Sequence, residues 1–215
     1  MPHAKSKTIR RVLITAGPTR EMLDPVRFIT NLSTGEMGYA LAYEAKRRGL
    51  AVTLISGPTF LIPPRGVRFI PITTVKDLER ALEKHFFRHD LLIMSAAVGD
   101  FIPTKRSLKK ISRQKKWQVS FRESPDLVLK MARRKGPRKV IGFSLETDRW
   151  IERSRKKRIR KKLDGIVANY YSPRHNPFGK TRAHVALVDR KGARTLHFGS
   201  KPALARRLIN WALSI

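Results

Sequence analysis

The sequence contains no cysteine, and that absence excludes several kinds of chemistry. Without thiols the chain forms no disulfide, offers no cysteine nucleophile and binds no metal through cysteine. It also lacks any apolar run near the roughly 20 residues that span a bilayer. Its start from Met1 to Arg11 is basic and polar, without the apolar core of a signal peptide. We therefore expect a cytoplasmic protein that does not enter a membrane.

Acidic residues are scarce as well. Asp and Glu number 16 against 47 Lys and Arg, so the formal net charge is +31. Such an excess attracts polyanions and is compatible with nonspecific nucleic-acid contact. The charge is nevertheless spread along the chain, without zinc-finger spacing, an aromatic-rich stacking sequence or a helix-turn-helix pattern. A small polyanionic substrate needs only a few cations, so we attribute most of the excess to a general bias towards basic proteins.

Familiar arrangements of catalytic and metal-binding residues are missing too. The six histidines are scattered, no Ser/His/Asp order is evident, and no set of residues has the spacing of a protein-only metal site. A metal ion would therefore enter with a phosphate group, as Mg²⁺ commonly does.

What the chain does contain is a regular alternation of strand and helix patterns, which predicts a doubly wound parallel sheet with helices on both faces. The predicted strands are Val12–Ala16, Val52–Ser56, Val67–Ile70, Leu91–Ser95, Val140–Phe143 and Gly165–Ala168, with an isolated strand at Val119–Phe121 and a hairpin of Val185–Val188 and Thr195–Phe198. The predicted helices are Glu36–Arg48, Val75–Phe87, Pro125–Arg134 (capped by Ser124), Arg149–Leu163 and Pro202–Ile215.

Distinctive loops follow four of the predicted strands: Gly17–Gly35, Ala96–Ser124, Phe143–Asp148 and Asn169–Lys180. Most strand-to-helix loops have only about 2–6 residues. In an open α/β sheet such loops meet at one edge and bind ligands there. The insertion Phe101–Ser124 is interpreted as a flap over the site or an arm that reaches another subunit. Seven residues are therefore expected near one another: Asn31, Asp100, Lys110, Asp126, Phe143, Glu146 and Asn169.

Two features of the sequence suggest anion binding. The Ser33-Thr34-Gly35 turn leads into a helix whose first N–H groups and positive dipole end favour phosphate. Lys157 and Lys161 are four residues apart, so they project from one face of a predicted helix. Their ammonium groups either are solvated or share an anion, and the spacing alone does not decide between these interpretations.

Six segments in order carry a resemblance to a known family. They are Ile14–Gly38 (I-T-A-G-P-T-R-E, D-P-V-R and N-L-S-T-G-E-M-G), Ala96–Phe101 (A-A-V-G-D-F), Lys110-Ile111, Pro125–Val128 (P-D-L-V), Gly142–Thr147 (G-F-S-L-E-T) and Arg158–Asn169 (a basic helix followed by L-D-G-I-V-A-N). Together they resemble phosphopantothenate–cysteine ligase, also called phosphopantothenoylcysteine synthetase, of coenzyme A biosynthesis. Six motifs in the right order are far more specific than any one of them.

The resemblance implies an α/β, Rossmann-like fold, with a doubly wound, mainly parallel sheet, a basic flap insertion and a C-terminal hairpin plus helix. It implies one ligase domain over residues 1–215, a flap at about 101–124, no decarboxylase domain and no flavin. In the implied reaction, 4′-phosphopantothenate reacts with CTP and Mg²⁺ to give an acyl-cytidylate and pyrophosphate, and L-cysteine then displaces CMP. The family also suggests a homodimer, with the flap of one subunit near the other's site, and a separate phosphopantothenoylcysteine decarboxylase as a partner.

Roles follow for the matching residues. Asn31 and Lys110 are the implied catalytic residues: Asn31 holds the acyl intermediate for the second half-reaction, and Lys110 meets the triphosphate and the substrate. Asp100 would contact the sugar or base, on which Phe143 would pack. The implied nucleotide contacts are Met94, Ser95, Ala96, Asp100, Lys110, Pro125, Asp126, Leu127, Val128, Phe143, Lys157 and Lys161. The implied substrate contacts are Gly17, Thr19, Asn31, Ser33, Thr34, Gly35 and Ala97.

The chain departs from the family pattern at several positions. Glu36 stands where the family usually has Lys, which places an anion at the helix start meant for phosphate. Ser144-Leu145 replaces two alanines, Ser112 replaces a lysine of the flap, and Gly99 replaces an alanine before Asp100. Because Asn31 and Lys110 are both present, we expect an active enzyme.

Two other functions make different predictions. An NAD(P)-dependent oxidoreductase would have G-x-G-x-x-G after the first strand and an acid after the second. Here those places hold Gly17-Pro18-Thr19 and Ser56-Gly57-Pro58. A nucleic-acid-binding protein that kept the fold and lost catalysis would bind with steep salt dependence and be indifferent to Asn31→Ala.

Overall fold

The computed structural model describes residues 8–113, 115–173, 176–178 and 183–215. Its strands are β1 (Arg11–Ala16), β2 (Arg20–Met22), β3 (Phe28–Thr30), β4 (Ala51–Ser56), β5 (Arg68–Pro71), β6 (Leu91–Met94), β7 (Phe101–Pro103), β8 (Phe121–Glu123), β9 (Lys139–Glu146), β10 (Gly165–Tyr170), β11 (Ala183–Asp189) and β12 (Gly192–Gly199). Its α-helices are α1 (Glu36–Arg47), α2 (Val75–His85), α3 (Leu127–Arg133), α4 (Trp150–Arg160) and α5 (Lys201–Ser214), and a 3₁₀ turn at Phe86–Arg88 extends α2.

Eight strands form one central sheet in the order β12-β11-β10-β9-β6-β1-β4-β5. The six from β10 to β5 run parallel, and β11 and β12 complete the edge as an antiparallel hairpin. The chain builds one side of β1 with β4 and β5, then crosses to build the other side from β6. This reversal opens a crevice at the carboxyl ends of the strands, where open α/β sheets bind ligands. The predicted fold class is confirmed.

Helices cover both faces of the sheet and enclose two apolar cores. α1 and α5 pack on one face, where Leu41 and Leu208 are buried. α2 and α3 pack on the other face with Leu78 and Met131. Parallel strands covered on both faces read as continuous apolar runs, which is why β1 and β6 were recognisable in the sequence. No α-helix in the described segments combines the length and apolar character needed to cross a lipid bilayer.

Two short strand pairs lie outside the central sheet. β2 and β3 form an antiparallel hairpin within the predicted loop Gly17–Gly35, where no strand was predicted. β7 and β8 pair at the base of the flap. The isolated strand predicted at Val119–Phe121 therefore exists, but it covers Phe121–Glu123 instead.

The start of α3 also differs from the prediction. The helix begins at Leu127, and the cap is Asp126, whose carboxylate accepts a hydrogen bond from the Leu129 N–H at 3.1 Å. Ser124 was predicted as the cap, but its hydroxyl donates to the Gly99 carbonyl at 2.6 Å and so ties the flap base to the loop after β6.

Candidate active site

A cavity of about 820 Å³ opens at the carboxyl ends of the central strands. Its volume falls within the range of small-molecule sites, roughly 300–1,000 Å³. The structure brings most of the predicted site residues to this one wall: Asn31, Ser33, Thr34, Gly35, Met94, Ser95, Ala96, Ala97, Asp100, Pro125, Asp126, Leu127, Val128, Phe143, Lys157 and Lys161. Gly17, Thr19 and Lys110 lie outside it.

The N-terminus of α1 forms one part of the wall. Gly35 precedes the helix with a φ of 80°, a left-handed conformation that glycine adopts without strain, and no side chain caps the helix there. The first N–H groups of a helix have no carbonyl partner within it. Residues 35–38 line the cavity, so these donors and the positive end of the helix dipole favour an anion at this part of the wall.

The hairpin β2–β3 delivers Asn31 to the wall. The Asn31 side-chain NH₂ donates to the carbonyls of Ala97 and Val98 at 3.3 and 3.2 Å. Thr30, one residue earlier, donates its hydroxyl to the Thr19 carbonyl at 2.8 Å. Because the Asn31 NH₂ is engaged by the loop after β6, the amide oxygen is the part of the side chain that remains to accept a hydrogen bond from a ligand.

Gly17 and Thr19 support the wall from behind. The Thr19 hydroxyl accepts a hydrogen bond from the Gly99 N–H at 2.9 Å, and the Thr19 N–H donates to the Ala97 carbonyl. The Gly17 carbonyl accepts from the Ala97 N–H at 2.9 Å. These bonds fix the backbone of the loop Ala96–Gly99, so both residues influence the wall without lining it.

α4 and Lys161, the residue that caps its end, contribute basic side chains that already have carboxylate partners. Lys157 Nζ lies 2.5 Å from Glu146 Oε1, and Glu146 is buried at the end of β9. Lys161 Nζ lies 3.0 Å from Asp126 Oδ2. The i,i+4 spacing predicted one shared face, and both lysines do line the cavity. Each lysine is therefore held in place by an acid from a neighbouring element.

The unexpected acid at position 36 is also paired. Glu36 Oε2 lies 2.5 Å from Nζ of Lys201, the first residue of α5. Both residues line the cavity, and the Lys201 side chain is only 9% exposed. The negative charge that Glu36 brings to the start of α1 is therefore balanced by a cation from the far end of the chain.

Alternation along β9 separates the two substituted positions of the G-F-S-L-E-T motif. The Ser144 hydroxyl makes a buried 2.7 Å hydrogen bond with Ser154 of α4. Leu145 is 43% exposed and lines the cavity together with Phe143. Ser144 lines the cavity as well, but its hydroxyl is engaged by Ser154, so Leu145 is the substitution that adds exposed apolar surface to the cavity.

Lys110 is exposed on the flap, outside the cavity wall. The flap is anchored to the turn that closes the β2–β3 hairpin. There the buried Asp24 accepts the Ile111 N–H at 3.2 Å and pairs with Arg27 at 3.0 Å. Burial raises the pKa of Asp24. The N–H groups of Val26, Ile111 and Arg27 and the charge of Arg27 lower it by more, so the pKa of Asp24 lies below its usual value. Arg27 also stacks over Trp117 of the flap at 5.3 Å.

Several wall residues were not predicted as contacts. Arg160, Lys201 and Phe178 line the cavity, as does Asn169, which was expected in the vicinity without a role. Arg160 extends the predicted Lys157–Lys161 face by helical position, so the sequence held a signal for it. The sequence held no such signal for Lys201, because the position of Lys201 depends on the packing of α5 against α1.

The charges of the wall balance. Its basic side chains among the described residues are Lys157, Arg160, Lys161 and Lys201, and its acidic ones are Glu36, Asp100, Glu123 and Asp126. These acids do not gather into a metal site: in the described part of the chain no group of three His, Asp or Glu could hold an ion.

Almost the whole chain matches a known protein family. Residues 8–215 match the family model DFP, described as the DNA/pantothenate metabolism flavoprotein C-terminal domain. The coenzyme A biosynthesis bifunctional protein CoaBC of Vibrio cholerae is 38% identical over 205 residues, which are 94% of this chain and 51% of that protein. The chain therefore spans about half the length of the curated relatives that it matches.

Two solved structures share the fold. The C-terminal domain of the bifunctional protein CoaBC has a TM-score of 0.79 and 32% identity, over 95% of this chain and 96% of that one. A Cab2 variant in complex with phosphopantothenate-cysteine has a TM-score of 0.76 over 95% of this chain and 85% of that one. At 18% identity, this second likeness concerns the fold alone.

Proposed function

The chain belongs to the family of the DNA/pantothenate metabolism flavoprotein C-terminal domain, and from this membership we propose that it joins 4′-phosphopantothenate to L-cysteine with CTP as the activating nucleotide. The observation that carries the proposal is one cavity of about 820 Å³ that collects Asn31, the open start of α1 and the lysines of α4. The similarity to the coenzyme A biosynthesis bifunctional protein CoaBC, 38% identical over 94% of this chain, supports the choice of substrates.

The first half-reaction joins two anions. A carboxylate oxygen of phosphopantothenate attacks the α-phosphorus of CTP, and the bond to the bridging oxygen breaks as pyrophosphate leaves. Positive groups that are fixed in advance stabilise the charge that develops. We assign this task to the N–H groups at the start of α1 and to Lys157 and Lys161, with Asp100 and Phe143 at the sugar and base.

The second half-reaction needs an acyl group that is held still. The cysteine amine attacks the acyl carbon and loses a proton to solvent, and CMP leaves with the electron pair of the bond between the acyl carbon and the phosphate oxygen. We assign Asn31 to this step, because its NH₂ is engaged by the loop after β6 and its oxygen can accept a hydrogen bond from the attacking amine. Fixing the two reactants in this way removes much of the entropic barrier.

Mg²⁺ belongs to this proposal as part of the substrate. A magnesium ion keeps several waters and is commonly bound through substrate phosphates with one or two carboxylates. CTP would therefore bring the ion with it.

The role that we propose for Lys110 requires a homodimer. Exposed apolar side chains lie on residues 26–32, which include β3, and on the flap anchored to this segment. Such a group is typical of a surface that contacts another protein. These side chains are Val26 (58% exposed), Ile29 (42%), Leu32 (79%), Leu108 (87%) and Trp117 (42%). A second copy of the chain would cover this surface, and the flap would then place Lys110 at the partner's cavity.

Pyrophosphate release tests the proposal. The purified protein is incubated with phosphopantothenate, Mg²⁺ and either CTP or ATP, with and without L-cysteine. We expect release that requires phosphopantothenate and CTP, and an amide product only when cysteine is present. The double variant Lys157→Gln/Lys161→Gln should lower the rate, whereas Lys156→Gln, on the same helix but outside the wall, should not.

Two results would count against the proposal. Release without phosphopantothenate would indicate simple nucleotide hydrolysis. No release with either nucleotide would mean that Glu36 or Leu145 marks a changed substrate or a lost activity.

A further inference from the structure

Lys201 occupies a place that disfavours a cation. It is the first residue of α5, at the positive end of the helix dipole, and its side chain is only 9% exposed. A largely buried ammonium group is costly unless it is paired. A lysine at this position therefore requires a nearby anion.

Glu36 supplies that anion from within the chain. It is the first residue of α1, its side chain is 27% exposed, and its carboxylate lies 2.5 Å from Lys201 Nζ. One ion pair at the cavity wall thus joins the first residues of two helices and places an ammonium group near the N-terminus of α1. This combination is also what a phosphate group requires.

We propose that Lys201 is a further phosphate-binding residue of this cavity, and that Glu36 holds its ammonium group at the wall and limits how strongly the wall attracts anions. The inference rests on the proposed function, because it assumes a phosphorylated ligand. An ammonium group has three N–H donors and need not release Glu36 to bind a phosphate oxygen. The phosphate belongs either to the nucleotide or to phosphopantothenate.

Neutralising each charge tests the inference by calorimetric titration, without turnover. The proteins are the wild type, Lys201→Gln, Glu36→Gln and the double variant, and the ligands are Mg²⁺–CTP, phosphopantothenate and inorganic tripolyphosphate. Elevated salt suppresses binding by exposed basic residues. Lys130→Gln is the matched control, because Lys130 pairs with Glu79 and Glu83 at 2.6 and 2.5 Å but lies outside the wall.

Lys201→Gln should weaken phosphate binding roughly tenfold or more, since it removes a charged donor and leaves the Glu36 carboxylate uncompensated. Glu36→Gln should strengthen binding. The double variant should recover part of what Lys201→Gln loses, because the repelling carboxylate is also gone. A purely structural lysine predicts no such recovery.

The three ligands distinguish which phosphate Lys201 binds, and they distinguish failure of this inference from failure of the proposed function. Weakening confined to CTP assigns Lys201 to the triphosphate, and weakening confined to phosphopantothenate assigns it to the substrate phosphate. Weakening with tripolyphosphate alone supports the inference while the proposed function fails. Unchanged affinity of folded Lys201→Gln for all three ligands overturns the inference, as does a wild type that binds none of them. Lys201→Arg, which keeps the charge, guards against a folding defect in the glutamine variant.

Discussion

Asn31 is held by the backbone carbonyls that its NH₂ contacts, and this orientation determines what a single atom change should do. In Asn31→Asp, a carboxylate would face the carbonyl oxygens of Ala97 and Val98 and would turn away from them. We expect pyrophosphate release to continue while amide formation falls roughly a hundredfold, the scale on which misplaced reactants lose rate. Quantifying both products in one incubation measures the two half-reactions together.

Asn210→Asp provides the control for this change. Asn210 lies on α5 outside the cavity wall and contacts Arg48. That variant should release both products normally. A normal yield of amide from Asn31→Asp would refute the role of Asn31 in the second half-reaction.

At the residue scale, the sequence predicted those positions whose neighbours in the chain carry a motif. Asn31, Asp126 and Phe143 lie in such segments, and all three line the cavity. Lys201 lies 165 positions from its partner Glu36, so no local pattern could connect them. Long-range pairing of charges depends on helix packing, which the one-dimensional sequence does not encode in readable form.

Among the elements, the β2–β3 hairpin was the main omission. Each of its strands has only three residues, too few to show the alternation by which strands are recognised. The central strands are longer and buried, and the sequence placed them within a few residues. Short elements held by tertiary contacts are therefore the part of this fold that the sequence conceals.

The anchoring of the flap to this hairpin leads to a prediction for Asp24→Asn. The amide cannot keep the ion pair with Arg27, and it accepts the Ile111 N–H more weakly than a carboxylate does. The flap should then detach more often. We expect trypsin to cut after its basic residues, Lys105–Lys116, several times faster than in the wild type, with the cleaved bonds identified by mass spectrometry.

Asp148→Asn is the matched control, since Asp148 is half-exposed and pairs with Arg153 of α4, not with the flap. It should leave the cleavage rate unchanged. Equal cleavage of Asp24→Asn and wild type would show that the flap does not depend on this carboxylate.

The end of α2 gives the fold a dependence on pH. His89 Nδ1 lies 2.7 Å from the His85 carbonyl, so it carries the proton, and Nε2 lies 2.9 Å from the Thr53 hydroxyl. Burial lowers the pKa of His89 below its usual value, and the charge of Arg11 lowers it further. Burial and the charge of Arg68 lower the pKa of His85 likewise. Both rings therefore resist protonation in the folded state.

The unfolded chain binds more protons than the native one once the pH falls below about 6.5, the ordinary histidine pKa. The stability that these neutral rings contribute is fully present above that pH and is lost below it. We expect the free energy of unfolding in urea to decrease from pH 7.5 to pH 5.5, and His89→Gln to reduce the slope. An unchanged slope in that variant would assign the dependence to other groups.

For the whole molecule, the net charge of +31 lies outside the candidate site, because the described wall carries four basic and four acidic side chains. The net charge is therefore not evidence about the reaction. It predicts that the outer surface binds polyanions. Short single-stranded RNA should bind the outer surface with an affinity whose logarithm falls linearly with the logarithm of salt concentration. Fluorescence anisotropy at several salt concentrations measures this slope.

CTP distinguishes the two interpretations of such binding. If RNA binds only the outer surface, saturating Mg²⁺–CTP should not displace it, and the double variant Lys157→Gln/Lys161→Gln should bind RNA as the wild type does. Displacement by CTP would instead favour a nucleic-acid-binding function of the cavity.

At the scale of the assembly, the position of the flap determines which subunit's cavity Lys110 serves. Asn31 lines the cavity of its own chain, whereas Lys110 is exposed outside it. If Lys110 serves the partner's cavity, Lys110→Gln on one chain and Asn31→Asp on the other damage the same site of a mixed dimer. The other site then keeps its own Asn31 and receives an intact Lys110 from the partner.

Mixing the two inactive variants under conditions that exchange subunits should therefore restore amide formation, to at most about half of the wild-type activity per mixed dimer, because only one of its two sites is complete. A flap that serves its own chain leaves no complete site in the mixture, and activity would stay absent. Analytical ultracentrifugation of each variant verifies that dimers form. Restored activity would place Lys110 across the subunit boundary and make the homodimer a requirement of the reaction.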